Sequence, residues 1–115
     1  MYNVGQGIFG KLQFTDGTNP DYERAYLIVD VLEDKIGVLN VSSAIGKGHK
    51  LFFPTNRYIN NHFPPFPMKT FVKLDSLVYV SINELQSMSI LANGQILDSA
   101  EIAAILKELQ NMQKP

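Results

Sequence analysis

The sequence predicts a mainly β protein: a small barrel or strongly bent antiparallel sheet of five to seven short strands, with one amphipathic helix against it. Three observations predict this. Residues 24–43, RAYLIVDVLEDKIGVLNVSS, read as two long strands joined by a tight turn. Turn pairs such as Asp16-Gly17, Asn19-Pro20 and Asn93-Gly94 punctuate short apolar runs elsewhere. Near the C-terminal end, Ile102, Ile105, Leu106, Leu109 and Met112 recur at helical spacing.

In chain order, Val4 to Phe14 gives a first strand, bent where Gly5, Gly7 and Gly10 permit it. Thr15 to Glu23 is a turn-rich loop. Tyr26 to Leu32 and Ile36 to Val41 form the central hairpin, with Glu33, Asp34 and Lys35 as turn material and Gly37 as a bulge or close-approach position. Ala44 to Lys50 alternates glycines and cations, and Leu51 to Phe53 is a short apolar strand. Pro54 to Met68 reads as irregular and holds four of the six prolines. Phe63 and Phe66 lie there, either as plugs for the core or as a base-stacking platform beside Arg57 and His62. Lys69 to Val80 gives one or two strands, Ser81 to Leu85 a single helical turn, and Ser87 to Leu91 a last short strand with Ile90 and Leu91 inward. Asp98 and Glu101 have the spacing of a capping box, so the helix should run from about Ser99 to Met112.

Composition narrows the function. A chain of 115 residues fits one domain, 1–115. No apolar run approaches the roughly 18 residues of a membrane span, and no signal-peptide layout opens the sequence. The absence of cysteine removes disulfides, thiolate metal sites and a Cys nucleophile, and is compatible with a cytoplasmic setting. Net charge is −1, but it is unevenly spread. From Lys35 to Leu74 there are six cations and no acid, while the remainder carries four cations and eleven acids. That window is either a solvated face or a basic surface for a polyanion. His49 and His62 have no Asp or Glu in the window to complete a metal site, so no metal or cofactor is expected.

The ends of the central hairpin carry the chemistry. Antiparallel pairing should bring Arg24, at the start of one strand, beside Ser42, near the end of the other. Ser42 lies in no nucleophile elbow. Arg24 could pair with Glu23 or Asp21, or its guanidinium fork could hold a phosphate. RNA needs no metal to be cut, because its own 2′-OH can attack phosphorus; a protein then supplies proton transfer and a cation for the phosphorane oxygens.

The order of features resembles the PemK/MazF family of toxins from bacterial toxin–antitoxin systems. The resemblance rests on Val4-Gly5-Gln6-Gly7-Ile8-Phe9, on Arg24 opening a hydrophobic strand, and on Val38-Leu39-Asn40-Val41-Ser42-Ser43. It continues through Phe71 to Val80 and the helix start Gly94 to Glu101. It spans roughly positions 4 to 110, through short, degenerate motifs. It implies an SH3-like barrel, a homodimer, and a metal-independent endoribonuclease that cuts single-stranded RNA and is neutralised by an antitoxin with an acidic tail. It assigns catalysis to Arg24, which would stabilise the phosphorane and take part in proton transfer, and to Ser42. Ser43, Lys47, His49, Lys50 and Arg57 would line the RNA groove. Two features depart from the family: Ala25 stands where a proline follows the arginine, and Gly48 to Pro67 has no family counterpart. The alternatives are a non-catalytic SH3-like module for peptide or nucleic acid, and a gyrase-poisoning toxin on the same fold.

Overall fold

A computed structural model describes residues 1–12, 23–44 and 54–112. The expected strand Leu51 to Phe53, and Lys47, His49 and Lys50, lie outside the described residues. Among the described residues, seven antiparallel strands form one sheet: β1 (Gly7–Gly10), β2 (Arg24–Val31), β3 (Lys35–Ser43), β4 (Asn56–Ile59), β5 (Thr70–Lys73), β6 (Val78–Ser81) and β7 (Ser89–Ile90). The helix α1 (Ile82–Leu85) lies between β6 and β7, and α2 (Ser99–Met112) follows β7. The hydrogen-bonded path is open and runs β4-β5-β3-β2-β1-β7, with β6 also paired to β3.

β3 is the hub. Along one side it pairs with β2. Along the other, its first half pairs with β6 and its last three residues with β5. The chain changes partner regions at the short 3-10 turn Leu74–Ser76, so the run from Lys69 to Val80 makes two strands. The Ser76 hydroxyl fixes this break: it accepts the Asn40 N–H at 2.8 Å and donates to the Lys73 carbonyl at 2.6 Å.

Both faces of the central hairpin are buried, which is why β2 is apolar almost throughout rather than alternating. Leu27, Val29, Leu39 and Val41 point into one cluster with Ile59, Phe66, Val72, Leu74 and Leu97. Tyr26, Ile28, Ile36 and Val38 point into the other with Ile8, Leu12, Val80, Leu85 and Met88. α2 covers the first cluster through Ile105 and Leu109, with Ile102 and Leu106 packed beside them.

Two glycines show their reason. Gly37 lies at the shift in register between Ile28 and Asp30, where a Cβ would sit 2.8 Å from Tyr79 Cε1. Gly5 has φ +98°, and a Cβ there would meet Ile102 Cδ1 at 2.6 Å. Its N–H donates to the Ile28 carbonyl, and its carbonyl accepts the Leu97 N–H. The start of the chain is thereby tied to both β2 and the approach to α2.

Three expectations need correction. Residues 56–59 form a strand where an irregular segment was expected: Asn-Arg-Tyr-Ile has no alternation, but β5 supplies its ladder. Ile90 is 43% exposed rather than inward, because β7 is a two-residue edge strand. The capping box is half formed. Asp98 Oδ2 accepts the N–H groups of Ala100 and Glu101, as a cap should. The Glu101 side chain is 6% exposed, and its Oε2 instead accepts the Asn61 N–H at 2.7 Å.

Candidate functional site

At the end of the hairpin where β2 begins and β3 finishes, the molecule holds a cavity of about 500 Å³. Antiparallel register creates it. Ala25 pairs with Val41, so the next position out sets Arg24 opposite Ser42. On the other side of β2, Arg24 pairs with Gly10 of β1. Beyond β3, Ser42 pairs with Phe71 and Ser43 with Thr70. Arg24, Ser42 and Ser43 all line the cavity. Alternation places Arg24 and Ser42 on one face and Ser43 with Val41 on the other, so the cavity wraps the strand ends.

Glu23, Asn40, Thr70 and Lys73 add to the polar lining. Among the described residues, its charged groups are two cations and one carboxylate. The apolar wall comes from Phe9, Phe66, Pro67, Met68 and Leu91. Two internal bonds shape that wall: Thr70 Oγ1 donates to the Met68 carbonyl at 2.6 Å, and the Phe66 N–H donates to the His62 carbonyl at 2.8 Å. His62 closes the same turn, its Nδ1 2.7 Å from the Phe66 carbonyl. A carbonyl only accepts, so Nδ1 carries the proton.

Phe66 is 2% exposed and plugs the core, whereas Phe63 is 63% exposed and lies outside the cavity lining. The two phenylalanines of the proline-rich segment thus have different surroundings. Arg57 does not join Arg24. It sits on edge strand β4, and its Nη1 pairs with Glu108 Oε1 of α2 at 2.9 Å.

Sequence reasoning left Glu23, Lys73 and Phe9 out of the site. Lys73 belongs to the acid-free window, so that charge pattern was the available signal. Phe9 lies next to Gly10, the partner of Arg24, but nothing in its own motif marks it as a wall rather than core. Among the described residues, no three His, Asp or Glu side chains cluster as a metal site, and no helix is long and apolar enough to cross a membrane. The sequence matches no known family model and no curated protein.

Proposed function

We propose that the protein is a metal-independent endoribonuclease of the toxin type, acting on single-stranded RNA in the cytoplasm. The observation that carries the reading is the shared cavity of Arg24, Ser42 and Ser43, with Lys73 and Glu23 beside them. In the reaction, the 2′-oxygen attacks the adjacent phosphorus and the bond to the 5′-oxygen breaks. The products are a 2′,3′-cyclic phosphate and a 5′-hydroxyl. The proton of the 2′-OH passes to the Glu23 carboxylate, and the departing 5′-oxygen is protonated from water. Arg24 does not deprotonate in a protein, so its work is to hold the phosphorane oxygens rather than to relay a proton. Ser42 orients the phosphate, with Ser43 next to it. The net positive lining also suits an acidic antitoxin tail laid in the same place.

A homodimer belongs to the same proposal, and most of the apolar stripe of α2 is used within the chain. Ile105 and Leu109 are buried against the chain's own sheet and Ile102 and Leu106 are half-buried there, leaving Met112 exposed. Sedimentation at micromolar concentration tests the dimer.

A second reading has its own support. Phe9, Phe66, Pro67, Met68 and Leu91 make the wall largely apolar, which also suits a non-catalytic peptide- or RNA-binding module. One experiment separates the two. Purified protein is incubated with long RNA in chelator and the new ends are mapped. Discrete fragments ending in 2′,3′-cyclic phosphate, lost in Arg24→Ala, support the nuclease. Binding without fragments supports the module. An Arg24→Ala protein that cuts as well as the native chain removes Arg24 from the mechanism.

A further inference from the structure

We infer that the Phe9 wall of the cavity is a nucleobase subsite, which takes the base of one unpaired nucleotide while its phosphate lies on Arg24 and Lys73. The inference rests on the reading of the cavity as an RNA site and adds what that site recognises.

β1 buries Gly7, Ile8 and Gly10 but leaves Phe9 38% exposed. The residue belongs to neither core cluster. It is nonetheless held by strands on both sides, paired to Ala25 of β2 and to Ser89 of β7. An aromatic residue whose backbone is paired on both sides and whose side chain lines a cavity is suited to a flat partner. The rest of the apolar lining is Met68, itself exposed, with Leu91 and the buried Phe66. Alternation sets Phe9, with its strand partner Ala25, on one face and Arg24 on the other, and the cavity that wraps the strand ends is lined by both. A ligand that satisfies both must be flat and apolar at one end and anionic at the other. A nucleotide has that layout, and stacking on an aromatic ring tolerates any base because every base has a π-face. The size agrees: about 500 Å³ holds one nucleotide rather than a stacked duplex end.

The sequence contains no tryptophan, so Phe9→Trp creates a single fluorescent reporter inside the proposed subsite. Adenosine 5′-monophosphate should change its emission saturably, and ribose 5-phosphate, which carries the anion without the base, should bind roughly 5- to 150-fold more weakly. Equal responses to the two ligands, or no response to the nucleotide, overturn the inference. If Phe9→Trp does not fold, calorimetry of the native chain against Phe9→Leu with the same two ligands decides it: unchanged nucleotide affinity in Phe9→Leu overturns the subsite. Where the native chain cuts RNA, Phe9→Ala should raise KM by the same factor with little change in kcat, and Phe9→Tyr should restore it. A native chain that binds the nucleotide through Phe9 but cuts nothing refutes the nuclease reading and leaves the base subsite standing.

Discussion

Glu101 of α2 and Asn61 of the proline-rich segment, forty positions apart, are joined by a 2.7 Å hydrogen bond from the Asn61 N–H to the Glu101 carboxylate. The bond is buried on the helix side and leads directly into the His62–Phe66 turn, which closes on itself and delivers Phe66, Pro67 and Met68 to the cavity. The helix therefore does two things with its first turn: it accepts the Asp98 cap and it pins a cavity wall.

Removing that pin should be costly. Glu101→Ala leaves the Asn61 N–H without its acceptor, a loss of about 1–3 kcal/mol. Glu101→Gln keeps an oxygen in place and should recover most of it. Urea unfolding of the three proteins checks this. Equal stability of Glu101→Ala and native protein would show that the bond contributes nothing.

Phe66 tests the plug beneath the same wall. It is almost wholly buried between β1 and the first core cluster, where its ring lies 3.0 Å from the position of a Cβ built on Gly7. Phe66→Ala should destabilise by about 3–5 kcal/mol. Phe63→Ala, at an exposed ring three positions earlier, should cost within about 0.5 kcal/mol. A denaturant midpoint that falls equally in both would contradict the division of roles.

The meeting of Arg24 and Ser42 was legible because it needs only two recognisable strands, a tight turn and antiparallel register. The Asp98 cap was legible because a cap is local. Glu101 was misread for the complementary reason: its spacing satisfies a local motif, but its carboxylate is used by a segment distant in the chain. β4 was missed because an edge strand of Asn-Arg-Tyr-Ile has no pattern of its own and borrows its ladder from β5. Phe9 was read as ordinary strand material because the cavity it faces is made by four other segments, and no property of positions 7–10 encodes those. Arg57 shows the limit of counting charge, since its place in the basic window says nothing of Glu108 on α2.

The Arg57–Glu108 pair should behave structurally. Both side chains keep substantial solvent contact, so a double-mutant cycle should give a coupling of about 0.2–1 kcal/mol, reduced by salt. Because Arg57 is outside the cavity lining, Arg57→Ala should leave RNA end patterns unchanged. An altered cleavage pattern would place Arg57 in the substrate path.

Tyr79 gives a pH dependence with a definite sign. Its hydroxyl donates to Asp30 Oδ2 at 2.7 Å. That bond, followed by burial and the adjacent carboxylate charge, raises the phenol above its ordinary value. In the alkaline window the folded chain then holds a proton that the unfolded chain has released, so stability must fall as pH rises. The contribution is complete below about pH 10 and disappears above the folded value. Melting temperatures measured from about pH 8 to about pH 11.5 should fall more steeply for the native chain than for Tyr79→Phe. Parallel curves would remove Tyr79 from the alkaline transition.

Salt dependence tests the cations of the cavity quantitatively. For single strands, each phosphate neutralised contributes about −0.7 to the slope of log affinity against log salt. A dinucleotide short enough to stay within the cavity brings one internucleotide phosphate to Arg24 and Lys73, so its slope should be about −0.7. Lys73→Ala should make it shallower, and Glu23→Gln, by removing a like charge from the anion's path, should raise affinity most at low salt. Longer RNA should fall more steeply, because it reaches further cations of the acid-free window from Lys35 to Leu74. This ordering follows from counterion release alone and does not require cleavage, so it can be measured on an Arg24-intact protein with a substrate whose 2′-OH groups have been replaced by hydrogen. A slope near zero for the dinucleotide, or one that Lys73→Ala does not change, would mean that phosphate does not sit where these two side chains place it.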